Sequence, residues 1–219
     1  AEVLRARIDH MRGDIELAQF KLGKVIENIS PTDPATIEAR GELAWVLTEG
    51  LDYSSAAPLL QDASASAQLL LGNDDARTLQ WQAMLGRAQA ALILMELPGA
   101  PPADTPPPYG SLERVIELLG PTHPTTFLAR LSELDRGYIT GEGDPLTTLQ
   151  SIYNDAHAAL GPLHPRTMET RIELGGMLRI KGDHQTASDM LRGSIGDYND
   201  TFGPGHPHAA IASVHLGRS

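Results

Sequence analysis

A short phrase that can end one helix and begin the next recurs along this chain at a nearly constant interval. Its clearest copies read Leu-Gly-Pro-x-His-Pro, at residues 119–124 and 160–165, and a variant beginning with Phe covers 202–207. Weaker copies cover 29–34 and 71–76. The last residues of the five phrases are 34, 76, 124, 165 and 207, at steps of 42, 48, 41 and 42. A period of this size is typical of arrays built from one repeated supersecondary unit.

The residue types within the phrase predict a helix end followed at once by a helix start. Glycine tolerates the left-handed backbone that often follows a helix, and the first proline prevents the helix from continuing. The second proline suits the first helical position, where its missing N–H has no partner to lose. The residue before it then occupies the N-cap position, which is held by Asp33, Asp75, His123, His164 and His206.

A second turn signal falls inside each unit, at residues 13–14, 50–52, 143–145 and 182–183, and a new apolar helical pattern follows each one. Each unit therefore contains a first helix of about 16 residues, a short turn and a second helix of about 18 residues. The predicted helices are 2–12, 14–29, 34–49, 53–71, 75–96, 110–119, 124–139, 144–160, 165–181, 184–202 and 207–217.

One unit carries a proline-rich insertion at residues 97–109, which accounts for the long step of 48. Six prolines in this stretch exclude a helix. We expect the insertion to loop out as an extended, mobile segment. The rival interpretation is a linker between two domains, although the repeat resumes in phase after it.

Composition and charge narrow the classes of function. The 219 residues are 41% hydrophobic but only 5% aromatic, which favours small-residue helix packing over a β-sandwich or barrel. The net charge of -11 argues against binding nucleic acid through this domain, because such binding rests on neutralising phosphates. The longest apolar run, Ala88–Leu97, is too short for membrane insertion. The absence of cysteine excludes disulfides, thiolate metal sites and cysteine catalysis.

These features resemble tetratricopeptide repeats of the kinesin-light-chain type, which are also widespread in bacterial regulators. That family's unit reads Leu-Gly-x-x-His-Pro-x-Thr-Leu, then an Asn-Asn-Leu-Ala segment, then Gly-x-Tyr-x-x-Ala-x-x-Leu. The best copy here begins at Leu160, continues through His164-Pro165 and includes Gly182, Ala187 and Leu191. The resemblance implies an all-α, right-handed superhelical solenoid of antiparallel helix pairs, with about five repeats of about 42 residues in a single domain over residues 1–219.

The resemblance also implies that a ligand binds in a concave groove lined by the first helices. This chain has no Asn at the family's paired Asn positions, so we do not expect the family's way of holding a peptide backbone. Groove-facing positions recur at i, i+4 and i+7 along each first helix. They give the candidate ligand contacts Glu38, Glu42, Trp45, Glu49, Gln80, Met84, Arg87, Ser132, Glu169 and Glu173.

The acidic residues in this set allow two interpretations. One is a solvated acidic face without a ligand. The other is a groove for a protein or peptide segment that is basic and apolar, with Trp45 and Met84 as contacts. The sequence does not separate the two.

The residue pattern gives little support for a metal site, a catalytic nucleophile or a phosphate-binding loop. His206-x-His208 with His215 has the residue type of a metal site, but a cap role explains the histidines of the phrases, and no Cys or clustered carboxylate completes a set. The sequence has neither a Gly-x-Ser-x-Gly nucleophile elbow nor a Gly-x-x-x-x-Gly-Lys phosphate loop. We therefore expect no enzyme activity, no metal and no cofactor.

The function that these observations predict is a protein- or peptide-binding scaffold or sensor module of a larger regulatory protein. The start, Ala1-Glu2-Val3, lacks an initiator Met and a signal peptide, which suggests a piece of a longer chain. The alternative is a module for homo-oligomerisation through the end of the last helix, at residues 215–219. The compartment is open: we favour the cytoplasm, with an extracytoplasmic sensor domain as the alternative.

Overall fold

A computed structural model describes residues 1–30, 32–204 and 206–217. Within these ranges the chain forms eleven α-helices and no β-strand, which confirms the all-α fold class. Each predicted helix is present, with only small shifts at its ends. The helices are α1 (Glu2–Met11), α2 (Ile15–Asn28), α3 (Pro34–Glu49), α4 (Tyr53–Leu71), α5 (Ala76–Leu94), α6 (Leu112–Leu119), α7 (Pro124–Thr140), α8 (Pro145–Leu160), α9 (Pro165–Ile180), α10 (His184–Phe202) and α11 (Pro207–Gly217).

The helices are divided between two compact units. The first comprises residues 1–10 and 14–142, and the second comprises 11–13 and 143–219. The prediction of a single domain over 1–219 stays a prediction. None of the helices in the described ranges combines the length and the apolar character needed to cross a bilayer.

The recurring phrase starts helices as the sequence predicts. In α3 the carboxylate of Asp33 accepts a hydrogen bond from the Ala35 N–H at 2.8 Å, and Asp75 caps α5 in the same way. In α7 and α9 the N-cap residue is a histidine, whose Nδ1 accepts the N–H two residues later. Each cap satisfies one backbone donor that the helix itself leaves without an acceptor. Pro31 and Gly205 of the phrases lie outside the described residues.

The glycine of the phrase ends the preceding helix in a backbone conformation that other residues rarely adopt. Gly161, after α8, has φ 88° and ψ 164°. We expected the left-handed helical region, and the observed angles lie instead in a neighbouring region that is essentially restricted to glycine. The Gly161 N–H still donates to the carbonyl of His157.

The first unit is held together by small residues that let helices approach closely. Trp81 of α5 is 1% exposed and lies directly over Gly41 of α3. A Cβ built on Gly41 would come within 2.5 Å of the indole ring. Around this contact, Ala44, Leu60 and Ala63 form a buried cluster with further residues of α3–α7. Alanine and glycine at the helix contacts thus confirm the small-residue packing that the low aromatic content predicted.

The proline-rich insertion is a series of turns, not the extended segment that we expected, while its mobility stays a prediction. Hydrogen bonds close three successive turns, at residues 97–100, 102–105 and 107–110. Tyr109 is fully buried, and its hydroxyl donates to Glu133 of α7 at 2.8 Å. Arg136 donates to the carbonyl of Thr105 at 2.6 Å. Burial of one aromatic ring and these bonds to α7 offset the entropy of an irregular segment.

The insertion stands in for the first half of a second helix. α6 has 8 residues, whereas α4 and α10 have 19 each. Counting back from the following phrase, Pro108 occupies the position that Leu60, Leu149 and Leu191 hold in the other units. Pro108 also lies against Gly86 of α5, as Leu191 lies against Gly175 of α9. Both ends of the insertion lie in the first unit, so the domain-linker interpretation is wrong.

The second unit repeats the same packing with a smaller core. Met168, Ile172, Leu191 and Tyr198 are buried together between α9, α10 and α11. Ala187, at the position where the resemblance implies a small residue, is fully buried. The second unit therefore uses the same small and apolar positions as the first.

We expect Gly41→Ala to lower the free energy of unfolding by about 1–3 kcal/mol, because the new methyl group meets a rigid, buried indole. The matched control is Gly23→Ala on α2, where a Cβ meets nothing within 4 Å. This control should gain up to about 1 kcal/mol, because alanine favours the helix. Urea denaturation measures both changes, and equal effects at the two glycines would contradict the assigned packing.

We expect limited proteolysis with a nonspecific protease to cut first between Pro98 and Asp104, where the turns are mostly exposed. Residues 105–109 should resist cleavage, because Tyr109 is buried and Thr105 is held by Arg136. Mass spectrometry of the first fragments gives the position. First cleavage inside α9 or α10 would contradict the repeat boundaries.

Candidate interaction surface

The predicted ligand contacts lie on four first helices and differ widely in exposure. In the first unit Glu42, Glu49, Met84 and Ser132 are buried, with exposed fractions of 1%, 8%, 5% and 0%. Glu38, Trp45, Gln80 and Arg87 are partly exposed. In the second unit Glu169 and Glu173 are partly exposed. Only the partly exposed side chains can meet a partner without a rearrangement of the fold.

The acidic residues of α3 have a cationic partner on α1. Arg7 Nη2 donates to Glu38 Oε1 at 2.8 Å and also to Glu42 Oε1. The Arg7 side chain is 35% exposed, Glu38 31% and Glu42 1%. Solvent therefore reaches Arg7 and Glu38 but not Glu42. One guanidinium therefore compensates both carboxylates, and of the two only Glu38 can contribute to an exposed acidic face.

Burial makes Glu42 an unusual carboxylate. Desolvation raises its pKa above the ordinary range, and the hydrogen bond and charge of Arg7 oppose that rise. The pKa of Arg7 is raised in turn, mainly by its hydrogen bond to Glu42. Glu42 Oε2 is buried and accepts no hydrogen bond. The ionised form of Glu42 thus depends on Arg7.

A second link between α1 and α3 is formed by a buried histidine. His10 is 2% exposed, and its Nε2 lies 2.9 Å from Glu49 Oε2. The edge of the His10 ring meets the Trp45 ring, with centroids 5.3 Å apart and an interplanar angle of 88°. Trp45 is therefore oriented by His10 while part of the indole remains accessible. A tryptophan fixed in this way is a suitable apolar anchor for a partner.

An ion pair also links α5 and α7, and here the predicted ligand contact, Arg87, is the cation. Arg87 of α5 donates from Nε to Asp135 of α7 at 2.9 Å, and both side chains are about one-fifth exposed. Met84 belongs to the buried cluster around Trp81. Ser132 lies beneath Gly86, where a Cβ would be only 2.5 Å from its hydroxyl. Met84 and Ser132 are therefore interior side chains.

In the second unit, Arg166 and Glu169 form an ion pair within the first turns of α9, at 2.7 Å. Arg171 of the same helix reaches Asp197 of α10 at 2.7 Å and Ser194 at 2.8 Å. Glu173 lies one turn after Glu169 and is partly exposed. The polar side chains of α9 thus bind one another and α10, as those of α3 bind α1.

The partners on neighbouring helices were missed by sequence reasoning. Arg7, His10 and Asp135 are ordinary polar residues of amphipathic helices, and only the packing of α1 on α3 and of α5 on α7 identifies their partners. One signal was present. Arg7 and His10 are three residues apart and so share a face of α1. That spacing predicts a cationic stripe, but not which helix it meets.

Comparison with known proteins agrees with this architecture. Residues 167–208 match the family model of the tetratricopeptide repeat. Two crystal structures of kinesin light chain nearly identical TPR-like repeats from Podosopora anserina, one of them a single-substitution variant, align with TM-scores of 0.52 and 0.51. Each is 19% identical to this chain and covers 91% of it and 94% of its own length. No curated protein sequence gives a significant match.

The fold is therefore that of a tetratricopeptide-repeat array of the kinesin-light-chain type. Arrays with this fold are, as a class, scaffolds for protein interaction. The resemblance inferred from the recurring phrase is confirmed at the level of the fold.

We expect Arg7→Met to lower the free energy of unfolding at pH 7 by about 2 kcal/mol or more, because it leaves Glu42 buried without a counter-charge. The raised pKa of Glu42 means that the protonated form is favoured in the folded state. The loss, measured against the parent at each pH, should therefore shrink as pH falls through the folded pKa of Glu42.

Two variants test the cause. Arg5→Met removes an arginine of α1 whose pair with Glu2 is exposed, and should change stability by less than about 0.5 kcal/mol. Adding Glu42→Gln to Arg7→Met should recover most of the loss at pH 7. A loss that is independent of pH and of residue 42 would show that the aliphatic part of Arg7, and not its charge, stabilises the helix pair.

Proposed function

We propose that this chain is a protein-interaction scaffold that binds a peptide or protein segment on the face of its first helices, as the sensor or scaffold part of a larger regulatory protein. The observation that carries the proposal is the repeat fold itself. Each helix pair buries its core against its neighbours, so successive first helices within a unit present side chains in a regular row. We propose no catalytic step, because the polar clusters of this face are hydrogen-bonded within the fold.

Within the first unit, the side chains that support a binding role are Glu38, Trp45, Gln80 and Arg87. All four are partly exposed and lie on α3 or α5. Trp45 is held by His10, Glu38 by Arg7 and Arg87 by Asp135. Side chains that are already ordered lose less entropy on binding, which favours affinity.

We propose that the partner carries Lys or Arg beside an apolar anchor. The ion pairs of α1–α3 and α5–α7 reduce the local acidic charge, so attraction for a basic partner rests on the net charge of -11 as much as on the contacts themselves. Such long-range attraction is screened by salt, whereas contact with Trp45 is not. An acidic partner would meet repulsion over the same surface.

A displayed library of random peptides tests this chemistry without a known partner. We expect enrichment of sequences with Lys or Arg near an aromatic or branched apolar residue, and weaker binding as NaCl rises. Gln80→Lys places a positive charge on the proposed face and should weaken the selected peptides about tenfold, which corresponds to about 1.4 kcal/mol.

The matched control is Gln61→Lys, which makes the same change at an exposed position of the second helix α4. It should leave affinity within about twofold, apart from the small effect of net charge. Equal losses at Gln61 and Gln80 would contradict binding on the first helices. Enrichment of acidic peptides would contradict the proposed partner chemistry.

Self-association is the second candidate function. Val214 of α11 is 51% exposed, which leaves apolar surface on the last helix. Arg218 and Ser219, part of the end that we first considered for this role, lie outside the described residues. Sedimentation at several concentrations separates the candidates, since a concentration-dependent mass that Val214→Glu abolishes supports self-association.

A further inference from the structure

The N-caps of the first helices differ in chemistry along the chain. α3 and α5 are capped by the carboxylates of Asp33 and Asp75. α7 and α9 are capped by imidazoles, since His123 Nδ1 accepts the Thr125 N–H and His164 Nδ1 accepts the Arg166 N–H, both at 3.1 Å. The four caps occupy the same position of the repeat, so they form a natural comparison within one protein.

An imidazole can fill this role only in its neutral form. Nδ1 must keep its lone pair toward the backbone N–H, so the ring proton has to reside on Nε2. Protonation adds a second proton to the ring, at Nδ1, so that Nδ1–H and the backbone N–H become two donors facing each other. It also sets a positive charge at the positive end of the helix dipole. An aspartate side chain ordinarily stays ionised between pH 5 and pH 7.5, so an aspartate cap keeps both its acceptor and its charge over this range.

We propose that α7 and α9 begin with acid-sensitive caps, so that protonation of His123 and His164 releases the first turn of each helix while α3 and α5 keep theirs. This response to pH would come from the helix caps themselves and does not depend on the proposed partner. It would make the middle and later first helices respond to mild acid and leave the earlier ones unchanged.

Two features of its surroundings oppose protonation of the His164 ring. Burial lowers the pKa of His164, and the charge of Arg166 lowers it further. Arg166 is itself paired with Glu169 on the same helix. Among the described residues, the hydrogen bond recorded for each ring is the one that Nδ1 accepts from its cap amide.

The direction of the effect on stability follows from the lowered pKa of His164. A folded pKa below the unfolded value means that the neutral form is favoured in the folded state. Its contribution is present above the ordinary histidine pKa, near 6.5, and is lost as pH falls through the folded pKa. His206 accepts the His208 N–H in the same way, but it lies among the rings of Tyr198 and Phe202, and the proposal is confined to α7 and α9.

Hydrogen exchange followed by NMR tests the proposal on the whole chain. Protection factors are compared at pH 7.5 and pH 5.2 for the first-turn amides of α3, α5, α7 and α9, after correction for the intrinsic rate at each pH. We expect Thr125 and Arg166 to lose roughly five- to tenfold in protection at the lower pH, and Ala35 and Arg77 to change less than about twofold. The 15N shifts of His123 and His164 should show Nδ1 without a proton at pH 7.5.

The deciding variants are His123→Asp and His164→Asp, which copy the caps of α3 and α5. Each should remove the pH dependence of its own helix and leave the other unchanged. His184→Asp makes the same change in an exposed histidine of α10, whose cap is Asp183, and should have no effect on α7 or α9. The proposal is overturned if Arg166 loses the same protection in His164→Asp as in the parent, or if all four helices lose protection together.

Discussion

The hydrogen bond that starts each first helix is the interaction on which the rest of this structure depends. A side chain before Pro34, Pro124 or Pro165 accepts a backbone N–H, and the proline fixes the first helical residue. Once the start is fixed, every later residue of the helix has a set direction. Gly41 therefore meets Trp81, and Gly175 meets Leu191. A start displaced by one residue would rotate α3 by about 100° and bring Arg40 or Glu42 to the contact in place of Gly41.

Close approach between helices explains which polar groups become buried. Where α1 packs on α3, the distance is short enough for Arg7 to reach two carboxylates at once. Where α5 packs on α7, Arg87 reaches Asp135. Such pairs add little to stability compared with apolar contacts, but removal of Arg7 is costly, because it leaves the buried carboxylate of Glu42 without a counter-charge. They therefore restrict which helix can follow which, in addition to holding the helices together.

The sequence predicted the helices far better than the surface. Helix ends are encoded locally, in a few residues such as Gly161, His164 and Pro165, so spacing along the chain was sufficient to find them. The exposure of Glu42 could not be predicted, because it depends on Arg7, which is distant in sequence and belongs to a weakly marked helix. The conformation of the proline-rich segment could not be predicted for a related reason. Six prolines exclude a helix, but only the packing of Tyr109 and Pro108 against Gly86 shows that a turn can take the helix's place.

That substitution has a consequence for how the array unfolds. In a regular solenoid each helix pair has its own stability plus a coupling to its neighbours, and pairs can open one at a time. The third pair has half of its second helix replaced by turns whose buried ring, Tyr109, bonds to Ala129 and Glu133 of the next first helix. From these contacts we expect a low intrinsic stability and a strong coupling to α7, so that the third pair and α7 unfold together as one cooperative block.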